Sequence, residues 1–309
     1  MVTVQSIKEY DKEHSTVITI GTFDGVHIGH RKILERLIKN AKDSNLKSVV
    51  LTFFPHPRMV LQKDTDIKLI NTIEEKTKIL KELGLDFLII HPFTADFSRL
   101  SATEFVRDLL VNELQIKKII IGYDHRFGRN RTANINDLIT FSSTFDFEVE
   151  EITAQEIDDV SVSSTKIRKA LEEGDIQTAN TYLGYRYMLT GTVKKGKGLG
   201  RQLNFPTANL QVEEVYKLIP KNGVYVVQSH VKGKLTFGMM NIGFNPTVSG
   251  TEKTIEINFF DLDQDLYDQK LQIEIIDRIR DEHKFESINA LKEQLSKDKE
   301  MSLSILAKL

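Results

Sequence analysis

The stretch Gly21-Thr22-Phe23-Asp24-Gly25-Val26-His27-Ile28-Gly29-His30-Arg31 separates two segments whose apolar residues follow different periods. Residues 16–20, immediately before it, form an apolar run typical of a buried strand. The apolar residues after it recur at the spacing of one helix face, and they are Ile33, Leu34, Leu37, Ile38 and Ala41. The stretch is therefore predicted to form a strand-to-helix turn, where backbone N–H groups and the positive end of a helix dipole favour phosphate.

Two histidines of this turn are candidate catalytic groups. His27 and His30 are predicted to donate hydrogen bonds to the phosphorus oxygens of a nucleotide, and they are able to carry positive charge. A purely structural turn and a two-histidine metal site are the alternatives. The metal site is disfavoured because the sequence has neither a His-Glu-x-x-His pattern nor a cysteine. The other candidate phosphate contacts in the turn are Gly21, Phe23, Asp24, Gly25 and Gly29.

Length and composition indicate a globular protein of two domains. The chain has 309 residues, more than one core usually contains, and its 40% hydrophobic and 28% charged residues are ordinary for such a protein. The formal net charge of −2 argues against nucleic-acid binding through bulk electrostatics. The absence of cysteine excludes disulfides and thiol nucleophiles and fits a cytoplasmic protein. The sequence shows no signal-peptide core and no apolar run of membrane length, so no membrane partner is expected.

Strands and helices alternate in residues 1–184, which predicts a doubly wound, Rossmann-like parallel sheet. Ligands of such sheets bind beyond the carboxyl ends of the strands. Three segments fall there: residues 21–31, 52–57 and 122–128. The predicted strands are residues 16–20, 48–54, 86–90, 116–121 and 147–152, and the predicted later helices are residues 76–83, 103–114, 136–141 and 174–183.

The pattern changes after Gly184, where helical periodicity largely disappears until the last segment of the chain. The strands predict an antiparallel barrel, followed by a terminal helix over residues 287–309. We therefore place the domain boundary near Gly184, between domains of residues 1–184 and 185–309. The predicted strands of the second domain are residues 188–193, 223–230, 235–242, 254–260 and 271–276.

The segment Ser163-Ser164-Thr165-Lys166-Ile167-Arg168 opens a predicted helix. Hydroxyl groups at a helix start are ordinarily N-caps, which accounts for Ser163 and Ser164 by themselves. Together with Lys166 and Arg168 the same segment is a candidate clamp that would neutralise a leaving pyrophosphate.

The second domain contains a basic, glycine-rich loop, Lys194-Lys195-Gly196-Lys197-Gly198-Leu199-Gly200-Arg201, and then Phe205-Pro206-Thr207-Ala208-Asn209. The loop is either a solvated hairpin loop or a flap that covers nucleotide phosphates, with Gly196, Lys197 and Gly198 as the candidate contacts. It lacks the Gly-Lys-Ser/Thr ending of a P-loop. The hydroxyl of Thr207 suits Mg²⁺, and Asn209 is a candidate contact to the same phosphates.

Glu256 is the candidate base of the second domain. By strand alternation its side chain shares a face with Thr254 and Asn258, opposite Ile255 and Ile257. It is either a plain solvent-facing carboxylate or a base that accepts a proton from an attacking hydroxyl.

Taken together, these motifs resemble those of bacterial bifunctional riboflavin kinase/FAD synthetases, and the resemblance covers nearly the whole chain in the domain order of that family. The His27-Ile28-Gly29-His30 run has the His-x-Gly-His signature of nucleotidylyltransferases. Residues 52–57, 122–128 and 163–168 match further motifs of the FMN adenylyltransferase module. The riboflavin kinase module, a six-stranded barrel with a terminal helix, is matched by residues 205–209, by Glu256 and by Arg280-Asp281-Glu282-His283-Lys284-Phe285.

The resemblance implies that the 5′-hydroxyl of riboflavin attacks the γ-phosphorus of ATP in the second domain, which gives FMN. Glu256 is then the base, Thr207 binds Mg²⁺, and Asn209 orients the phosphates. In the first domain the FMN phosphate attacks the α-phosphorus of a second ATP, which gives FAD and pyrophosphate. An ionised phosphate needs no protein base, so positioning and charge stabilisation suffice.

The roles in the first domain follow from the same resemblance. His27 and His30 contact the nucleotide phosphates, and Ser164, Thr165 and Arg168 hold the pyrophosphate. The residues expected to contact flavin are His56, Asp124, Phe127 and Arg280. Riboflavin, FMN and ATP are thus the expected partners, while the oligomeric state does not follow from the sequence.

Three residues depart from the family pattern where glycine is common: Asn204, Asp268 and Ala133. Asn and Asp tolerate a left-handed backbone better than Ala does. The loop after Phe127 therefore matches the family least, and the alternative function is a riboflavin kinase with a weak or inactive adenylyltransferase half.

Two other functions explain the motifs less completely. A nucleotidylyltransferase for a non-flavin phosphate leaves the Pro-Thr-Ala-Asn run of residues 206–209 unexplained. A non-catalytic binder of flavin or nucleic acid is disfavoured because Glu256, Thr207 and His27 are all present, and because the basic loop has no interleaved aromatic residues.

Overall fold

The structure is a computed structural model that describes residues 1–62, 66–123, 125–153, 162–196, 200, 203–247 and 250–309, with backbone only for 245–247 and 250–252. The described chain divides into two compact units, Met1–Ser163 and Ser164–Leu309. The domain boundary near Gly184 stays a prediction. Among the described segments, none of the helices combines the length and the apolar character that crossing a membrane would require.

The first unit is built on a six-stranded sheet in which every paired strand runs parallel, in the order β1-β4-β3-β2-β5-β6. The predicted doubly wound parallel sheet is confirmed. All five residues of β2 are buried, because the strand is central and covered on both faces. The strands are Val2–Val4 (β1), Thr16–Ile20 (β2), Lys47–Phe54 (β3), Phe87–Pro92 (β4), Ile116–Gly122 (β5) and Glu148–Ile152 (β6).

The turn after β2 lies where the order of strand addition reverses. From β2 the chain adds β3 and β4 on one side, and then crosses to the other side of β2 to form β5. Loops diverge at such a switch point and leave a crevice for ligands. Residues 21–31 occupy that position.

The helices of the first unit follow the predicted order, with two differences. Pro57 does more than stop β3, because it is the first residue of a short helix. The predicted helix at residues 103–114 is wound mostly as a π-helix, with the N–H of Leu114 bonded to the carbonyl of Leu109. The helices are Ile28–Asp43 (α1), Pro57–Leu61 (α2), Ile73–Glu82 (α3), Ala102–Glu104 (α4) with its π-helical continuation Phe105–Glu113, and Ile135–Phe145 (α5).

The second unit is a closed antiparallel barrel of six strands in the order β10-β11-β8-β7-β12-β9, as the resemblance implied. The short strand β8 was not predicted, because it follows directly on the Pro-Thr pair. The terminal helix α8 packs against β9, β10 and β12. The strands are Met188–Lys194 (β7), Ala208–Gln211 (β8), Gly223–Val231 (β9), Lys234–Thr247 (β10), Gly250–Phe259 (β11) and Lys270–Arg280 (β12), and the helices are Ser164–Glu173 (α6), Ile176–Leu183 (α7) and Ile288–Leu306 (α8).

Candidate active sites

The turn after β2 has a strained backbone. Phe23 and Val26 have φ angles of 44° and 37°, in the left-handed region that bulky and β-branched residues rarely adopt. Gly25 lies between them with φ of 89°, which glycine adopts readily. Phe23 and Val26 are also buried. Strain of this kind persists only where the surrounding structure imposes it, and it concentrates at functional sites.

The two histidines of the turn lie against each other. Their rings are stacked with centroids 3.6 Å apart and an interplanar angle of 17°. Nδ1 of His27 accepts a hydrogen bond of 3.3 Å from the backbone N–H of His30 and so caps helix α1. Because Nδ1 is an acceptor, the neutral His27 ring has its proton on Nε2 and presents that N–H as a donor.

Both rings are uncharged at neutral pH. Burial lowers the pKa of His27 to about 4, against an opposing effect of Asp24. Burial also holds the pKa of His30 well below its usual value, and His27 and Lys76 lower it further. In the protein itself the pair therefore supplies neutral N–H donors rather than the positive charge that the sequence allowed. A bound phosphate would raise both pKa values, because it places negative charge beside the rings.

Asp24 and Lys76 connect the turn to helix α3. The buried Asp24 carboxylate accepts hydrogen bonds from the backbone N–H groups of Ile70 and Asn71, at 3.0 and 3.4 Å. Nζ of Lys76 donates to the carbonyl of Thr22 at 2.7 Å. The sequence analysis missed Lys76. Its spacing of three residues from both Ile73 and Ile79, which places a lysine on the inner face of α3, was the available signal.

The residues expected to contact flavin in the first domain lie in different surroundings. The ring of His56 caps α2 by accepting a 3.2 Å hydrogen bond from the N–H of Arg58. Phe127 is buried and forms an isolated β-bridge with Ala133. Asp124 lies outside the described residues. In this loop φ is 56° at Asn130 and 57° at Arg131, so these residues, rather than Ala133, have the left-handed backbone.

An aromatic cluster not foreseen from the sequence lies at the carboxyl ends of β3, β4 and β5. Its rings form a continuous series with centroid separations from 4.7 Å, between His91 and Phe97, to 6.2 Å, between Phe97 and Phe105. A planar aromatic ligand would be complementary to such a surface. The members are Phe53, His91, Phe93, Phe97, Phe105 and Phe127.

The motif of residues 163–168 falls at the division between the two compact units. Ser163 ends the first unit, and α6 begins at Ser164 and contains Thr165 and Arg168. Contact of these side chains with a pyrophosphate stays a prediction.

In the barrel, the predicted kinase residues come together. Asn209 of β8 is directly paired with Glu256 of β11. The hydroxyl of Thr207 donates to the Glu256 carboxylate at 3.3 Å. The buried Asn258 donates from Nδ2 to the carbonyl of Pro206 at 2.8 Å, which holds the Pro-Thr-Ala-Asn run against β11. The sequence analysis placed Asn258 on the face of Glu256 but gave it no role.

The basic loop approaches these residues through Gly196. A Cβ atom at Gly196 would lie 2.1 Å from Nδ2 of Asn209, so a larger residue there would displace the Asn209 side chain. Lys197 and Gly198 lie outside the described residues. Asn204 and Asp268 have φ of 64° and 59°, the left-handed conformation that Asn and Asp adopt more easily than other side chains.

The donors around Thr207 suit a hard cation. Thr207, Asn209 and Glu256 all offer oxygen atoms, which Mg²⁺ prefers. Within the described residues, no group of three or more His, Asp or Glu side chains is arranged to hold a metal ion.

Arg280 is engaged by the terminal helix. Its guanidinium donates to the carboxylate of Asp298 in α8 through three hydrogen bonds of 2.7, 2.9 and 3.2 Å. It also lies 5.7 Å from the centre of the Phe285 ring. Asp298 is only 1% exposed, and Gln294 donates to it as well. Contact of Arg280 with flavin stays a prediction, while its pairing with Asp298 ties the end of β12 to α8.

Further ion pairs hold the segment that follows Arg280. Asp281 pairs with Arg278 at 2.6 Å and Lys221 at 2.9 Å, and these two cations lower its pKa to about 2. Glu282 accepts hydrogen bonds from Asn222 Nδ2 and from the backbone N–H of Phe244. The motif is thus attached both to the start of β9 and to β10.

Comparisons with known proteins decide the family. A model of the FAD synthetase family matches residues 9–166, and a model of the riboflavin kinase family matches residues 183–306. The chain belongs to the bifunctional riboflavin kinase/FMN adenylyltransferases. It phosphorylates riboflavin to FMN and adenylylates FMN to FAD, and both activities use ATP.

Curated relatives of this bifunctional enzyme family align over nearly their whole lengths. The enzyme named bifunctional riboflavin kinase/FMN adenylyltransferase from Buchnera aphidicola subsp. Acyrthosiphon pisum is 36% identical, over 96% of this chain and 94% of its own. That of Listeria monocytogenes is 36% identical over 95% and 93%, and that of Escherichia coli K12 is 33% identical over 93% and 91%. A crystal structure from Streptococcus pneumoniae titled as a macrolide-efflux protein matches with a TM-score of 0.88 and 31% identity, over 97% of this chain and 98% of that one.

The buried neutral histidines predict a specific loss of stability in mild acid. Because the folded-state pKa of His27 lies below the unfolded value of about 6.5, the unfolded chain binds the extra proton between pH 6.5 and 4. The stability that neutral His27 contributes is complete above this window and falls by about 3 kcal/mol across it. His27→Asn keeps an N-cap and removes the titration, so we expect the slope of unfolding free energy against pH to decrease by about 1.4 kcal/mol per pH unit.

Urea unfolding of the first unit at pH 5.0, 5.5 and 6.0 measures this slope. Above pH 7.5 the histidine is neutral in both folded and unfolded chains, so wild type and variant should there show parallel pH dependence. Equal slopes between pH 5 and 6 would contradict the assignment of a neutral, buried His27.

The Arg280–Asp298 pair predicts a large effect of one substitution on the barrel. Asp298→Ala leaves the Arg280 guanidinium without its carboxylate, and we expect about 3 kcal/mol less stability of the second unit. Glu300→Ala changes an exposed carboxylate of the same helix and should alter stability by less than about 0.5 kcal/mol. Urea midpoints of riboflavin kinase activity measure both, and equal midpoints for the two variants would contradict the role of the pair.

Proposed function

We propose that the two reactions take place at the two constellations described above, with FMN formed at the barrel and FAD formed at the turn after β2. The observation that carries the proposal is that Asn209 and Glu256 are paired on neighbouring strands and that Thr207, just before β8, donates to Glu256. The proposed partners are riboflavin, FMN and ATP, the proposed metal is Mg²⁺, and the proposed compartment is the cytoplasm. The domain boundary is proposed near Gly184, where the riboflavin kinase match begins at residue 183.

In the barrel, Glu256 accepts the proton of the 5′-hydroxyl of riboflavin as the oxygen attacks the γ-phosphorus of ATP, and ADP leaves. The hydroxyl of Thr207 donates a hydrogen bond to Glu256, so the lone pairs of the Thr207 oxygen are available to a cation. Bound Mg²⁺ would supply positive charge to the ATP phosphates. Asn209, fixed opposite Glu256, orients those phosphates, and the loop containing Gly196, Lys197 and Gly198 covers them.

At the turn, the FMN phosphate attacks the α-phosphorus of ATP and pyrophosphate leaves. The attacking phosphate is already ionised, so the protein has no proton to remove. The Nε2–H of His27 and a ring N–H of His30 donate to the phosphorus oxygens where negative charge increases. Ser164, Thr165 and Arg168 hold the pyrophosphate. The flavin ring lies against the aromatic cluster, near Phe127, and His56 and Asp124 are the other flavin contacts proposed in the first domain. Arg280 is the flavin contact proposed in the barrel.

A substitution of Glu256 separates the two reactions. Glu256→Gln retains an oxygen that accepts from Thr207 but does not accept a proton, so we expect riboflavin phosphorylation to slow by about 10²- to 10⁴-fold. FMN supplied directly should still be converted to FAD at the wild-type rate. Chromatographic separation of riboflavin, FMN and FAD after incubation with ATP and Mg²⁺ measures both steps in one protein. Equal loss of both steps would argue against two independent sites.

A substitution of His27 provides the reciprocal test. His27→Asn retains the cap of α1 but removes the Nε2–H donor, so adenylylation of FMN should slow by about 10²- to 10³-fold. Riboflavin phosphorylation by the same protein should be unchanged, and His14→Asn, which alters an exposed histidine, should leave both steps unchanged. Adenylylation within twofold of wild type would exclude His27 from the site.

A further inference from the structure

Lys76 is a charged side chain in the interior of the first unit. It is only 4% exposed, and removing an ammonium group from water is unfavourable unless it is paired. Its Nζ donates to the carbonyl of Thr22 at 2.7 Å. The hydroxyl of Thr52, on β3, donates to the same oxygen at 3.3 Å. The peptide group between Thr22 and Phe23 is therefore held by two elements, α3 and β3.

This hydrogen bond lies where the backbone most needs support. The residue after Thr22 is Phe23, which has the left-handed φ of 44°. Asp24 is held by the backbone N–H groups of Ile70 and Asn71, which precede α3. The start of α3 is itself fixed by a capping box between Thr72 and Glu75. Helix α3 and the residues just before it thus hold the turn in two ways. Lys76 donates to the Thr22 carbonyl, and two backbone amides donate to the Asp24 carboxylate.

We propose that Lys76 is a positioning residue for FMN adenylylation, whose ammonium group fixes the Thr22 carbonyl and with it the strained turn that presents His27 and His30 to the nucleotide phosphates. The proposal rests on the roles proposed above for the two histidines. Lys76 touches neither substrate nor reacting atoms in this account, and it acts through the backbone of the turn.

The charge of Lys76 has a second effect, on the histidines. Among the described residues, the charged and titratable groups that act on the pair are Asp24 from the turn, Lys76 from α3 and the two rings on each other. The positive charge of Lys76 helps to lower the pKa of His30, whereas Asp24 raises that of His27. Removing the charge of Lys76 would therefore raise the pKa of His30, and its ring would accept a proton at higher pH.

The first test is Lys76→Met in the full chain. We expect kcat of FMN adenylylation to fall at least tenfold with KM for FMN within about twofold, and the acid limb of its pH profile to move to higher pH. Riboflavin phosphorylation in the same sample should be unchanged and controls for concentration and folding of the barrel. Lys81→Met alters an exposed lysine of α3 and should change neither reaction. Adenylylation within twofold of wild type, with an unshifted acid limb, would overturn the proposal.

A second variant separates positioning from a folding defect, since Lys76→Met removes the donor that holds the Thr22 carbonyl. The chain has no cysteine, so Lys76→Cys creates a single thiol that can be alkylated in denaturant before refolding. An aminoethyl adduct restores an ammonium at the original chain length, and a hydroxyethyl adduct restores a hydrogen-bond donor without charge.

The aminoethyl protein should regain most of the adenylylation rate and the wild-type acid limb. The hydroxyethyl protein should regain part of the rate and keep the shifted limb. Equal and complete recovery by both adducts would overturn the proposal. So would a lack of recovery by either adduct in protein with native circular dichroism and full kinase activity. The His27→Asn measurement is independent, so a failure for Lys76 is distinguishable from a failure of the histidine assignment.

Discussion

A backbone carbonyl held by a buried side chain supports each of the two sites. In the first unit the carbonyl is that of Thr22, and its donor is the ammonium group of Lys76. In the barrel it is that of Pro206, and its donor is the amide of Asn258. Both carbonyls lie at the edge of a short segment that must come close to phosphates. A segment with few side chains of its own, rich in glycine or proline, gains its fixed conformation from a neighbouring element.

The elements that provide this support are regular secondary structure. Lys76 belongs to a helix that begins with a capping box, and Asn258 belongs to a strand of a closed barrel. The two architectures thus solve one problem in different ways. An open parallel sheet provides a crevice where its strand order reverses, and loops from several strands meet there. A closed barrel has no such crevice, so its site forms where a short strand, β8, brings the Pro-Thr-Ala-Asn run against β11.

Most of this architecture could be predicted from sequence periodicity, because local pattern carries it. The alternation of strands with helices predicted the parallel sheet, and the run of strands after Gly184 predicted the barrel. The strand β1 was missed because three residues show no period, and the π-helix was missed because its apolar spacing over two turns resembles that of an α-helix.

Most of the candidate site residues predicted from the sequence lie in short contiguous motifs, while Glu256 was predicted from its own strand. His27 and His30 are three residues apart, and Thr207 and Asn209 are two apart. Lys76 is 54 residues from the carbonyl that it holds, and Asp298 is 18 residues from Arg280. The aromatic cluster brings together rings from four separate stretches of chain. Topology and packing determine which residues distant in sequence come into contact. The sequence alone shows only that a lysine or an aspartate occupies an otherwise inward-facing position.

The charge state of each site matches the chemistry of its reaction. The reaction proposed for the barrel removes a proton from an alcohol, and the proposed base Glu256 is oriented by the hydroxyl of Thr207. The reaction proposed for the turn instead requires stabilisation of charge on phosphorus oxygens during attack by an anion that is already formed. Its only acidic side chain, Asp24, is engaged by backbone amides, and its histidines are kept neutral.

A neutral ring at the turn is an advantage before the nucleotide arrives, because no buried charge has to be compensated. When phosphates enter, their negative charge raises the pKa of both rings, while the N–H donors of the neutral rings are already in position. Lys76 opposes this rise through its own positive charge, while burial lowers its own pKa and Asp24 opposes that effect. The turn is therefore held from behind by the amino group of Lys76 on the Thr22 carbonyl, and its two histidine rings are left to face the nucleotide in the proposed site.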